Sequence, residues 1–209
     1  MVKVRIYIEG GGDSKLQHVQ LRQGFHELFK KAGFADRMPG TFAGGGREST
    51  FDAFKTAVAA GESDVYPMLL VDSEDPVNAA TAWEHLRSRE KTWELPAGVT
   101  DEQIQLMVTC METWIIADRA ALIRAFGPKL QTSALLPEND LEIRLREDVQ
   151  DALAHATREC GRDKVYSKGR RSFQVLAQLN PAALKPRLKH FRRLIETLDR
   201  LLVAGTVRQ

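Results

Sequence analysis

Pro67-Met68-Leu69-Leu70-Val71 is a short, unbroken apolar run that stops abruptly in Asp72-Ser73-Glu74-Asp75-Pro76. A strand with one wet face alternates apolar and polar residues. A run apolar at every position needs both faces covered, as in a central strand of a parallel sheet. Helices must therefore lie on either side, and the neighbouring sequence supplies them. Residues 4–8, Val-Arg-Ile-Tyr-Ile, read as a second strand that ends in Glu9-Gly10-Gly11-Gly12-Asp13, where no regular element continues. Asp13 or Ser14 caps a helix to about residue 31, with Leu16, Val19, Leu28 and the Phe25/Phe29 pair at helical spacing and Gly33 as its stop. A short strand within residues 37–43 runs into Gly44-Gly45-Gly46-Arg47, after which Ser49 or Thr50 caps a helix carrying Phe51, Phe54 and Val58. Pro76, with Asp75 as its cap, opens a third helix to about residue 89. Residues 104–110 form a fourth strand and 112–126 a further helix. The expectation is an α/β fold, a mostly parallel four-stranded sheet flanked by helices.

Beyond Gly127 the strand signals cease and helices are expected at about 142–160, 171–179 and 187–203, with Pro186 in the first turn of the last. The chain thus divides into an α/β core over 1–127 and a basic helical extension over 128–209, packed on the core. Net charge is only +2, but residues 158–209 hold 13 Lys and Arg against 4 Asp and Glu, leaving 17 against 24 for the rest. An acidic portion suited to cations and a basic portion suited to phosphates would serve a metal-dependent nuclease. Basic helices docked on an acidic core explain the same numbers, and composition by itself favours that plainer reading. Cys110 and Cys160 show no metal-ligand or disulfide spacing. The apolar stretch near the N-terminus is too short and too charged for a signal peptide or a membrane span. A cytoplasmic protein is expected.

Ligands of an open parallel sheet bind at the carboxyl ends of its strands. Glu9 stands at one such end and Asp72 and Glu74 at another, on strands that can be neighbours at roughly 4.8 Å. Residues i and i+2 of an extended strand share a face, so Asp72 and Glu74 can converge with Glu9. Three clustered carboxylates repel unless a cation neutralises them, and an all-oxygen set suits Mg²⁺ or Mn²⁺. Any one acid could instead be a solvated loop residue or a helix cap, and Asp13 and Asp75 suit that role. Glu9, followed directly by three glycines, suits it least.

These residues carry a resemblance. The strand end Ile8-Glu9-Gly10-Gly11-Gly12-Asp13 and the later Leu70-Val71-Asp72-Ser73-Glu74 look like the signature of Toprim domains, found in topoisomerases, primases and OLD-type nucleases. Cys110-Met111-Glu112-Thr113-Trp114 resembles a third acidic element of the OLD-type relatives. With the Gly-Gly-Arg loop and Tyr166-Ser167-Lys168-Gly169, most of the chain is similar to a small bacterial Toprim-like family, a domain of unknown function. Toprim proteins usually have Asp-x-Asp, and the second acid here is Glu74.

The resemblance implies metal-dependent cleavage of DNA or RNA, with relatives often working beside an ATPase in antiphage defence. It implies that Glu9 ligates a metal or acts as base, that Asp72 and Glu74 hold Mg²⁺ or Mn²⁺, and that Glu112 completes a second metal position. Lys168 would neutralise charge on the phosphate. Among the arginines, Arg47 follows three glycines at a helix start, where anions are favoured, and Arg170 and Arg171 are further candidates for phosphate. Solvated surface is the plainer reading of any one of them taken alone, and Arg47 is the best candidate. The basic run Lys185, Arg187, Lys189, His190, Arg192 and Arg193 would face nucleic acid, a partner protein or water. Trp83, Trp93 and Trp114 read as packing residues. The competing function is a non-catalytic adaptor that binds an ATPase partner and whose acid cluster is structural.

Overall fold

The computed structural model describes residues 3–161, 165–167 and 169–203. Its apolar run forms β3 (Val65–Asp72), an inner strand between β1 (Lys3–Ile8) and β4 (Ile104–Met107), with β2 (Gly40–Ala43) at the edge beyond β1. All three pairings are parallel, Ile8 standing opposite Leu70 and Asp72 opposite Met107. The strand's side chains alternate between two apolar layers. Met68 and Leu70 join Val4, Ile6 and Ile8 on one face, while Leu69 and Val71 join Tyr7, Ile104 and Leu106 on the other. Coverage on both sides is why no polar residue interrupts the run.

The second face is closed by α2 (Arg47–Ala60) and α3 (Ala82–Arg89) through Phe51, Phe54 and Leu86, with Trp93 stacked on Phe51 at 3.8 Å. Several boundaries differ from expectation. Gly46, not Ser49 or Thr50, is the cap of α2, because both hydroxyls turn back to bond the carbonyls of the glycine loop. Pro76 does not open α3. That helix begins six residues later, where Thr81 and Glu84 exchange backbone and side-chain bonds in a capping box, and Asp75 instead pairs with Arg89. The strand expected over 104–110 ends at Met107.

The first face is covered by α1 (Lys15–Phe29), α4 (Met111–Ala117) and α5 (Arg119–Phe126), and by the segment after Gly127. Ser14, whose side chain makes no capping bond, precedes α1, and the chain leaves it through a π turn at Lys30–Phe34 in which Gly33 is left-handed. The helix expected over 112–126 is broken at Asp118. One carboxylate oxygen there caps Ala121 N–H at 2.9 Å, and the other accepts Asn180 N–H at 2.8 Å.

After Gly127 come α6 (Arg146–Thr157), α7 (Arg170–Leu176), the short α8 (Pro181–Leu184) and α9 (Lys189–Val203). Pro186 lies ahead of α9, whose start is capped by the Glu142 carboxylate accepting from Lys189 N–H and His190 N–H. The C-terminal segment is part of the main core. Leu188, Phe191, Leu194, Ile195 and Leu198 belong to the same apolar layer as Ile6 and Met68, and Trp114 meets Phe25 of α1 and Phe191 of α9 edge-on. Three of the tail's arginines are spent internally: Arg187 pairs with Glu138, Arg193 with Asp101 and Arg200 with Glu102. Docking on an acidic core, the plainer reading of the charge asymmetry, describes these pairs. Among the described residues no helix is long and apolar enough to cross a membrane.

Candidate metal centre

The chain leaves β1 toward the edge strand β2, whereas it leaves β3 in the opposite direction toward β4. The connections diverge between β1 and β3, which opens a crevice above their carboxyl ends, the usual ligand position in an open α/β sheet. Glu9 follows the last residue of β1 and Asp72 is the last residue of β3. Glu9 N–H bonds Leu70 O at 2.9 Å, and Glu9 Oε2 in turn accepts Asp72 N–H at 3.2 Å. Asp72 Oδ1 accepts the N–H of Met111, at the start of α4, at 3.0 Å.

Glu74 arrives by a different route from the one expected. The strand ends at Asp72, so pleat alternation does not carry Glu74 to the same side. Its own left-handed backbone does, at φ 68°, held by Glu74 N–H to Thr109 O and Ser73 N–H to Met107 O. One carboxylate oxygen from each of Glu9, Asp72 and Glu74 lies within 4.8 Å of the other two. The set is all oxygen and its spacing fits a shared divalent ion.

Glycines let the backbone crowd this spot. Gly10 and Gly45 exchange both backbone hydrogen bonds, at 2.8 and 3.1 Å, which ties the two glycine loops together. A Cβ on Gly44 would sit 2.1 Å from Thr50 Oγ1 and 2.7 Å from Thr50 Cα, so no larger residue fits.

Two arginines close on the acids. Arg47 Nη2 lies 3.5 Å from both Glu9 and Glu74, reaches the carbonyl of Asp72, and its Nη1 lies 3.3 Å from Glu90. Arg47 neutralises the carboxylates, as like charges gathered this closely require. Arg146, at the start of α6, pairs with the other carboxylate oxygen of Glu74. It was not legible in the sequence, because nothing near it marks it out among thirty Lys and Arg.

The cavity in front of the acids, about 310 Å³, is lined by Glu9, Asp72, Glu112, Arg146, Ser172 and Phe173 among others. Glu112 stands in its wall, outside the group of three, and is only 2% exposed. Its carboxylate accepts the Tyr166 hydroxyl at 2.6 Å, and Tyr166 N–H is held by Thr157 Oγ1 at 2.8 Å. From the Tyr-Ser-Lys-Gly run, Tyr166 thus holds the wall residue Glu112 and Gly169 lines the cavity itself. Lys168 and the side chain of Arg170 lie outside the described residues. Arg171 lines a separate cavity with Gln20 and Gln174 and is not brought to the acids. Both cysteines are buried, and burial, with the charges of Glu112 and Asp72, pushes the Cys110 thiol well above its ordinary value.

Burial, and then the adjacent Glu112 charge, holds the Tyr166 phenol far above its ordinary value. The folded chain keeps that proton where an unfolded tyrosine loses it, near pH ~10. Above that pH the folded state binds more protons than the unfolded one, so stability falls as pH rises. Tyr166→Phe should remove this alkaline loss attributable to Tyr166. It should also leave a Glu112 oxygen buried without its donor, costing about 1–3 kcal/mol at neutral pH. Urea melts of both proteins from pH 7 to 11 check both effects: curves that stay parallel to pH 11 would remove the alkaline effect, and curves that coincide at pH 7 would show that the hydrogen bond contributes nothing.

No curated protein and no solved structure matches the chain. Residues 8–199 match the family described as a domain of unknown function, DUF4276, and the chain belongs to that family.

Proposed function

We propose that this chain is a metal-dependent phosphodiesterase acting on nucleic acid, with Mg²⁺ or Mn²⁺ held by Glu9, Asp72 and Glu74. The observation that carries the reading is the convergence of three carboxylates, from positions 63 residues or more apart and two apart, on one spot at the switch point of a parallel sheet. The likeness of the same positions to the Toprim signature supports it, and antiphage defence beside an ATPase is the setting that likeness suggests. A bound divalent cation supplies Lewis acidity and neutralises charge growing on the phosphate. The protein's own groups do the rest. Glu9, anchored by Asp72 N–H, serves as ligand or base, and Glu112, oriented by Tyr166, presents a further carboxylate from the cavity wall. Arg146 lines the same cavity and offers a guanidinium to the scissile phosphate.

The adaptor reading has one observation in its favour: Arg47 and Arg146 already balance Glu9 and Glu74. The two readings part on one experiment. Labelled single- and double-stranded DNA and RNA are incubated with the purified chain and Mg²⁺ or Mn²⁺, with EDTA and with Glu9→Gln as controls. Metal-dependent cleavage that Glu9→Gln abolishes is expected. Cleavage undiminished in Glu9→Gln would remove the site, and absence of cleavage with every substrate would favour the adaptor.

A further inference from the structure

Both carboxylate oxygens of Glu74 face a guanidinium: Oε1 lies 3.5 Å from Arg47 Nη2, and Oε2 pairs with Arg146. A divalent ion that takes Glu74 as a ligand must share the carboxylate with these cations, against their repulsion, or displace one of them. The two arginines are not equally placed to yield. Arg47, its side chain 14% exposed, is tied at four points, to Glu9, Glu74, Glu90 and the carbonyl of Asp72, and it is not among the residues that line the cavity in front of the acids. Arg146, 30% exposed, does line that cavity, as do Glu9 and Asp72, whereas Glu74 does not. Arg146 is therefore the cation that a ligand in the cavity meets.

The same cavity suits a phosphate. Gly10, Gly11 and Gly12 line it, so an anion can come close to the backbone there. A guanidinium binds phosphate oxygens as readily as a carboxylate, through paired charge-assisted hydrogen bonds. Turning Arg146 from Glu74 to a phosphate thus exchanges one such pairing for another, and the carboxylate it leaves becomes available to the ion. Coupling of this kind is reciprocal: whatever factor the phosphate adds to the affinity for the ion, the ion adds to the affinity for the phosphate.

We propose that Arg146 couples the two bindings. It holds Glu74 until a substrate phosphate enters, turns to that phosphate, and so admits the divalent ion to the centre together with substrate and only weakly without it. The proposal rests on the metal reading of the acid cluster, and its test does not depend on catalysis. Mn²⁺ is titrated into the full chain with and without thymidine 5′-monophosphate, the free ion being counted by its electron paramagnetic resonance. In the wild type the nucleotide is expected to tighten Mn²⁺ binding at least about tenfold, within the ~5–150-fold range ordinary for coupled sites. Arg146→Gln should bind Mn²⁺ about tenfold more tightly than the wild type when no nucleotide is present, and its coupling factor should be smaller by about the same tenfold. Direct attraction between ion and phosphate is common to both proteins and cancels in that comparison. A cooperative melt of the variant shows that the fold is retained.

A mere loss of positive charge would tighten Mn²⁺ equally with and without nucleotide. Equal coupling in the two proteins would therefore overturn the proposal, as would Mn²⁺ affinity in Arg146→Gln no higher than in the wild type, and either result leaves the metal centre standing. Mn²⁺ bound by Arg146→Gln but not by the wild type, even with nucleotide, would also overturn it, since Arg146 would then be a fixed plug. If neither protein binds Mn²⁺ under any condition, the coupling falls together with the phosphodiesterase reading.

Discussion

Asp72→Asn is expected to abolish Mn²⁺ binding by titration calorimetry and, with it, metal-dependent cleavage. Of the three acids, Asp72 is the most firmly placed: it ends an inner strand, and its Oδ1 accepts the Met111 N–H at 3.0 Å. An asparagine has the same shape and can keep that bond through its amide oxygen, which turns the NH₂ group to where the second carboxylate oxygen stood. The substitution therefore removes a negative charge from the cluster and places a donor there, with little change in packing. Loss of outer-shell partners of metal ligands already costs ~10–100-fold in affinity, so loss of a ligand should cost at least about 10²-fold. Melting temperature without metal should hold or rise, because one of three mutually repelling charges is gone. Mn²⁺ affinity within a fewfold of wild type would show that Asp72 is no ligand, and the centre would have to be abandoned. Glu74→Gln gives a useful contrast. Its carboxylate is reached through a left-handed backbone and shared with Arg146 and Arg47, so a smaller loss is expected.

What could be seen in the sequence was the part governed by periodicity and by loops. The unbroken apolar run over 67–71 demanded two covered faces, and the sheet supplies them. The glycines beside Glu9 and Arg47 marked the two loops that meet over the site. The missed features are those set by partners distant in the chain. Pro76 carries a helix-start signal, yet the following residues remain irregular until Thr81 and Glu84 satisfy each other. Asp118 breaks a helix that is periodic throughout, because its carboxylate is claimed by Asn180, 62 residues away. Arg146 reaches the cavity, and Tyr166 its wall residue Glu112, only because the C-terminal segment folds back over the first sheet face, and no local pattern announces that return. Arg47 was placed at the right loop, but its carboxylate neighbours could not be read locally: Glu9, Glu74 and Glu90 come to it from positions distant in the chain.

That return of the chain also decides what happens if it is cut. Gly127 looks like a domain boundary in sequence, because strands precede it and helices follow. A fragment of residues 1–127 is nevertheless expected not to fold. It would keep β1, β3 and β4 but lose Val149 and Leu153 of α6, Leu176 of α7, and Phe191, Leu194, Ile195 and Leu198 of α9, all of which lie in the same apolar layer as Val4, Ile6, Met68 and Trp114. Full burial of such a side chain is worth ~1.5–3 kcal/mol, and the loss of these seven alone matches or exceeds the ~5–15 kcal/mol by which a whole domain is ordinarily stable. Polar ties go with them, since Asp118 loses Asn180 N–H and Asp101 loses Arg193. Circular dichroism and thermal denaturation of the fragment should show no cooperative transition, with strong binding of a hydrophobic dye where the full chain binds none. A cooperative melt of residues 1–127 would instead establish an autonomous α/β core. In that case the acid cluster would be expected to keep Mn²⁺ affinity without Arg146, so the same fragment would also measure how far that guanidinium competes with the ion for Glu74.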